Sequence, residues 1–193
     1  MTGTIDRFEF RLAGAGGQGL ILAGLILAEA AAIYDGRNAI QTQSYGPEAR
    51  GGASKSEVII SDGEIDYPKV MSADALLALS QEACDRYFYD LKPQGLLVVD
   101  SGEVERVPSS RAIEVPITEM AQEATGRAIT ANIVGLGLLA GLTGVVSRES
   151  LEKAVAARVP KGTNEMNLDA VAAGWAKALE IRAASKNEGS SSR

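Results

Sequence analysis

Six residues near the amino terminus, Gly14-Ala15-Gly16-Gly17-Gln18-Gly19, restrict what this chain can fold into more than any other stretch. They follow a β-prone run, Phe8 to Leu12, and precede a helical apolar pattern from Leu20 to Tyr34. Strand, tight loop and helix in that order make the opening unit of an α/β sheet. Gly14, Gly16 and Gly19 fit the spacing G-x-G-x-x-G, where missing β-carbons let the backbone turn sharply and let amide hydrogens approach an anion at a helix start. The same spacing also serves as a turn needed only for packing, and the residues alone leave both uses open. The helix is apolar on nearly all sides (Leu20, Ile21, Leu22, Leu25, Ile26, Leu27), which predicts burial on a sheet and against a second surface, a partner chain being one candidate. A chain with that helix uncovered is expected to be poorly soluble by itself.

The remaining pattern alternates strands with helices. Asn38 to Gln43 and Ser56 to Ser61 read as strands around a loop, Ser44 to Ser54, rich in glycine and charge. Asp62-Gly63 is a two-residue turn signal, so Ile65 to Tyr67 is expected to pair back as a hairpin. Ala75 to Leu79 and Leu96 to Val99 are continuous apolar runs suited to buried parallel strands, joined by a helix from Glu82 to Leu91. Ala112 to Val115 adds a short strand, and helices are expected over Thr118–Ala124, Asn132–Leu142, Glu149–Val159 and Asn167–Ala183, with Ser147 and Asn167 as N-caps. The expected architecture is a doubly wound, mostly parallel α/β sheet with a β-hairpin insertion, one domain over residues 1–184, followed by a disordered polar tail at 185–193. Ligands of such sheets meet the carboxyl ends of the strands, where both unusual loops fall.

What the chain lacks narrows its chemistry. It has 193 residues with no histidine and one cysteine, Cys84, so it cannot supply an imidazole base, a Ser-His-Asp triad, an iron-sulfur cluster or an internal disulfide by itself. Acids on both sides of Cys84 favour an inert thiol. The 19 basic and 25 acidic side chains leave a net charge of −6, the wrong sign for coating nucleic acid. The longest apolar stretches run about 14 residues against the roughly 20 of a membrane-spanning helix, so no membrane is expected. Met1 to Arg7 lacks the basic-then-apolar order of a secretory signal, and a cytoplasmic location is expected.

The second loop contains Tyr45-Gly46-Pro47-Glu48-Ala49-Arg50-Gly51-Gly52. It sets a guanidinium fork beside two glycines, a combination suited to gripping a carboxylate or phosphate, with a surface ion pair of Glu48 or Arg50 as the plain alternative. A dinucleotide site would also want an acid near the end of the second strand, where this chain has Gln41-Thr42-Gln43, and Asp35 comes before that strand begins. Asn132-Ile133-Val134-Gly135 reads as a cap and close-packing signal.

The two glycine-bearing loops together resemble those of the gamma subunit of 2-oxoacid:ferredoxin oxidoreductases. The resemblance continues through Val58 to Asp62, Ala73 to Leu79, Leu96 to Asp100, Val115 to Ala121 and Asn132 to Gly137, over about residues 8–175. It implies a Rossmann-like domain in a multisubunit enzyme that decarboxylates a 2-oxoacid oxidatively with coenzyme A, giving acyl-CoA, carbon dioxide and reduced ferredoxin. It also implies alpha and beta partner subunits and, where there is one, a ferredoxin-like delta subunit, with thiamine diphosphate, Mg and 4Fe-4S clusters on those partners and none bound by this chain. Gly14, Gly16, Gly17, Gln18, Gly19, Tyr45, Glu48, Arg50, Gly51 and Gly52 become candidate contacts to coenzyme A or to a partner, and none is a catalytic group. The Tyr-Gly-Pro-Glu form is most similar to 2-oxoglutarate members, while pyruvate, branched-chain oxoacid and indolepyruvate enzymes share the architecture. A stand-alone nucleotide-binding dehydrogenase and a purely structural adaptor are the alternatives.

Overall fold

A computed structural model describes residues 4–44 and 53–190. Six strands form one sheet: β1 (Phe8–Ala15), β2 (Asn38–Ser44), β3 (Ala53–Ser61), β4 (Ala73–Ala78), β5 (Leu91–Asp100) and β6 (Ile113–Val115), in the order β2-β3-β1-β4-β5-β6. β1, β4, β5 and β6 are parallel neighbours. β3 runs antiparallel to both β1 and β2, so β2 points the same way as β1 and the two inserted strands form a hairpin.

Both faces of the sheet are covered, which is why Leu76-Leu77-Ala78 in β4 and Leu96-Leu97-Val98-Val99 in β5 are apolar at successive rather than alternate positions. Helices α1 (Leu20–Glu29), α3 (Ile117–Thr125), α4 (Ala131–Thr143), α5 (Arg148–Arg158) and α6 (Asn164–Ser190) build the larger core against Leu12, Leu77 and Val98. The next residues along those strands, Ala13, Leu76 and Val99, turn to the other face and pack under α2 (Gln81–Tyr87) around Ala83 and Cys84. α2 begins at Ser80, whose hydroxyl accepts the Ala83 amide hydrogen at 3.3 Å. α4 and α6 cross with almost no gap: a β-carbon on Gly174 would lie 2.0 Å from the Val134 carbonyl oxygen, and one on Gly137 would lie 2.6 Å from that of Val171.

Several expectations need correction. Ile65 to Tyr67 is not a strand, because both edges of β3 are already taken by β1 and β2. The segment is instead held by Arg7, whose guanidinium donates to the carbonyls of Tyr67 at 2.9 Å and Lys69 at 3.0 Å. The hairpin of this fold is β2–β3. The first helix stops being α-helical at Glu29 and continues as a π-helical turn, Ala30–Tyr34. Leu20, Ile26 and Leu27 are buried among the chain's own β3, α4 and α5, while Ile21, Leu22 and Leu25 are half-buried.

α6 starts at Asn164, three residues before the expected cap. Asn167 lies inside it, and its amide donates back to the carbonyl of Thr163 at 2.8 Å. At the other end the helix runs to Ser190, into the stretch expected to be a disordered tail, since extending an established helix costs far less than starting one. Among the described residues no helix is long and apolar enough to cross a membrane.

Candidate functional site at the carboxyl edge of the sheet

β1 leads through α1 towards β2 on one side, while its parallel neighbour β4 leads through α2 to β5 on the other. The chain therefore winds in opposite directions from adjacent strands, and the crevice outside their carboxyl ends is where such sheets take ligands. The glycine loop sits there. Leu79 donates its amide hydrogen to the Ala13 carbonyl at 2.9 Å, and Gln18 bridges the same two strands. Its side-chain oxygen accepts from the Ala15 amide at 2.7 Å, while its nitrogen donates to the Leu79 carbonyl at 3.1 Å.

This explains Gly14. A β-carbon there would lie 2.2 Å from the Gln18 side-chain oxygen. The inside of the loop is thus filled by a neutral amide, leaving the exposed backbone of Gly16, Gly17 and Gly19 as the surface a ligand can reach.

Gly19 has φ +73° and precedes α1 without any side-chain cap. Its carbonyl accepts from the Asn132 amide nitrogen at 3.0 Å, and a β-carbon on it would come within 2.5 Å of that nitrogen. The Asn132 side-chain oxygen accepts from the Ile133 amide at 2.9 Å. Asn132 is therefore more than a helix-start signal: it is buried and ties the glycine loop to the start of α4, 113 residues further on.

A pocket of about 290 Å³ opens beside this junction, between the glycine loop, the turn before α4 and the α5–α6 connection. Arg127, Ile129 and Met166 give it one cation and an apolar wall. Ile129 is 65% exposed, unusual for its type. The Arg127 guanidinium has no ion-pair partner among the described residues. No pattern in the sequence marks these three residues, because they meet the loop only through the packing of α4 and α6.

The second loop, Tyr45 to Gly52 with Glu48, Arg50 and Gly51, lies outside the described residues, but its ends do not. β2 finishes at Ser44, and Ala53 pairs with Ala15 at the foot of the glycine loop. The Ala53 amide donates to a Glu82 carboxylate oxygen at 3.2 Å. Both loops thus spring from the carboxyl edge, where the sequence reading put them.

Two acidic and nucleophilic candidates near this edge are accounted for structurally. Asp100, fully buried at the end of β5, accepts from the Thr118 amide at 2.9 Å and hydroxyl at 2.5 Å and from the Gly102 amide at 3.1 Å, so it caps α3. Burial, and to a lesser degree the neighbouring Asp85 charge, pushes the Cys84 thiol up to about 11, and at neutral pH it stays protonated and unreactive. Among the described residues no three His, Cys, Asp or Glu side chains come together as metal ligands.

Residues 9–177 match the family described as pyruvate ferredoxin/flavodoxin oxidoreductase. The chain belongs to that family. Within it, the chain is 53% identical over 179 residues to the 2-oxoglutarate synthase subunit KorC of Methanocaldococcus jannaschii, spanning 91% of this chain and 96% of that one. It is 40% identical to the KorC subunit of Archaeoglobus fulgidus over 86% of each. The crystal structure of a keto/oxoacid ferredoxin oxidoreductase gamma subunit from Geobacter sulfurreducens superposes with a TM-score of 0.83 at 56% identity, covering 90% of this chain and 97% of that one. A more distant fold relative, the 2-oxoglutarate:ferredoxin oxidoreductase of Magnetococcus marinus solved with 2-oxoglutarate, coenzyme A and succinyl-CoA, has a TM-score of 0.78 at 23% identity and matches 91% of this chain to 31% of its own. The chain also matches, at 36% identity over 78% of its length, 33% of the ketoisovalerate oxidoreductase subunit VorA of Methanothermobacter marburgensis, so related sequences occur both as chains of similar length and as part of a longer polypeptide.

Proposed function

We propose that this chain is the gamma-type subunit of a 2-oxoglutarate:ferredoxin oxidoreductase and that its carboxyl edge faces the coenzyme A used by the complex. The observation that carries the reading is the glycine loop, tied by Gln18 and Asn132 beside an apolar pocket lined by Arg127, in a chain so similar to 2-oxoglutarate synthase subunits. A long anionic thiol ester carrier has the chemistry such an edge suits. Its phosphates meet Arg127, Arg50 and the exposed amides of Gly16 and Gly17, and its pantetheine arm lies against Ile129 and Met166. Gly14, Gln18 and Gly19 shape the loop, and Tyr45, Glu48, Gly51 and Gly52 of the second loop are the further candidate contacts.

The chain offers no imidazole and a single buried thiol, so its contribution is to bind, orient and exclude water while the redox groups sit elsewhere. Thiamine diphosphate with Mg and the 4Fe-4S clusters are assigned to alpha and beta companions and, where there is one, a delta subunit. Ferredoxin accepts the electrons, and the assembly works in the cytoplasm. The test is the complex coexpressed with its companions. Arg127→Ala and Arg50→Ala are each expected to raise the KM for coenzyme A about tenfold or more, the worth of one charge-assisted contact, with the KM for 2-oxoglutarate unchanged. Unchanged coenzyme A kinetics in both variants, or coenzyme A-dependent decarboxylation by this chain alone, refutes the proposal.

A further inference from the structure

Arg127 stands on an exposed turn between α3 and α4, yet the backbone polar groups on either side of its α-carbon all have protein partners. Gln122 takes the outer two. Its side-chain nitrogen donates to the Gly126 carbonyl at 2.9 Å, and its side-chain oxygen accepts from the Ala128 amide at 3.2 Å. The inner two fall to threonines. The Thr125 hydroxyl oxygen accepts from the Arg127 amide at 3.2 Å, and the Thr130 amide donates to the Arg127 carbonyl at 3.2 Å. Thr125 gives its own hydrogen to the Ala121 carbonyl of α3 at 2.7 Å. The Thr130 hydroxyl then has two acceptors, the Arg127 carbonyl at 2.9 Å and the Thr125 hydroxyl oxygen at 2.8 Å, and either one ties it into the same turn. Both peptide planes that flank Arg127 are thus held at both of their polar atoms, which fixes φ and ψ and with them the direction in which the side chain leaves the backbone.

Ending α3 does not require this arrangement, because the Gly126 amide already closes the helix on the Gln122 carbonyl at 2.9 Å. An exposed turn can leave its backbone to water, and ordering three side chains around it costs rotamer freedom. The expense falls where the pocket has its cation and, two residues on, the exposed Ile129. We propose that Thr125, Thr130 and Gln122 are positioning residues of the coenzyme A site, holding Arg127 ready so that a phosphate meets a preset guanidinium instead of having to order a loose turn. Thr125 and Gln122 do not line the pocket and act only through Arg127.

This role rests on Arg127 being a phosphate contact, and the experiment separates the two. The KM for coenzyme A of the coexpressed complex is measured, with the KM for 2-oxoglutarate as the internal control. Thr125→Val keeps the side-chain shape and removes the hydroxyl; it is expected to raise the first about fivefold, the scale of lost preorganisation at one side chain, and to leave the second unmoved. Thr125→Ser returns the hydroxyl and is expected to restore the coenzyme A value. Gln122→Ala, an exposed change to a strong helix former, is expected to raise it about threefold and decides the matter if Thr125→Val prevents assembly. In an Arg127→Ala background neither substitution should have a further effect, because the residue they position is gone. A KM for coenzyme A that rises in Arg127→Ala but in neither Thr125→Val nor Gln122→Ala overturns this inference alone. So does a rise that Thr125→Ser fails to reverse, or one that persists undiminished without Arg127. An unaltered KM in Arg127→Ala overturns the phosphate reading of Arg127 and this role together.

Discussion

Replacing Gly19 and Gly17 by alanine, one at a time, measures how far the glycine loop depends on its tie to α4. Both hold positive φ, +73° and +91°, so each alanine carries a backbone cost of about 1–2 kcal/mol. They differ in what the new β-carbon meets. At Gly17 it meets nothing within 4 Å, whereas at Gly19 it lies 2.5 Å from the Asn132 side-chain nitrogen. Asn132 must then move, losing its bond to the Gly19 carbonyl at 3.0 Å and disturbing the one from Ile133 at 2.9 Å. With a buried amide left partly unpaired, that adds about 2 kcal/mol. For a domain of this size the two variants should melt about 4–8 °C apart, Gly19→Ala lower. Thermal denaturation followed by circular dichroism reads the gap, and repeating both substitutions in an Asn132→Ala background should close it. Equal melting temperatures in the native background, or a gap that survives removal of Asn132, would show that the tie is not what makes Gly19 a glycine.

Further expectations concern packing, capping and pH. Gly174→Ala forces a β-carbon to 2.0 Å from the Val134 carbonyl and should cost about 3 kcal/mol or more by denaturant titration, unlike substitution of an open glycine. Asp35 accepts from the Ser147 amide at 2.8 Å and from the Ser147 and Ser150 hydroxyls at 2.9 and 2.6 Å, so Asp35→Ala should loosen the start of α5 and lower stability by about 1–3 kcal/mol, with faster exchange confined to α5 and its neighbours. The Cys84 thiol, raised from 9.0 to about 11, keeps its proton in the fold where the unfolded chain has lost it. Stability should therefore be unaffected by this group below pH 9 and fall by on the order of 2 kcal/mol as pH rises from 9 to 11, a loss that Cys84→Ala removes. An unchanged pH slope in that variant would refute the assignment.

The sequence by itself determined the α/β class, the glycine loop between β1 and α1, and the narrow chemistry, because these depend on local periodicity and on which residue types are present at all. Leu76 and Leu77 had to be in a strand buried on both faces, and a chain without histidine could supply no imidazole base. Only tertiary structure decided which strands pair. Asp62-Gly63 carries a genuine local turn preference, yet no hairpin forms after it because β1 and β2 already occupy both sides of β3, and local preference yields to the number of edges a sheet possesses. The same holds at the site. Gly14 and Gly19 were recognisable as glycines with a purpose, but the purpose belongs to side chains they make room for, Gln18 across the loop and Asn132 more than a hundred residues away. Arg127, Ile129 and Met166 reach the loop because α4 and α6 pack glycine to backbone, a distance-dependent contact between remote segments that no pattern along one segment encodes.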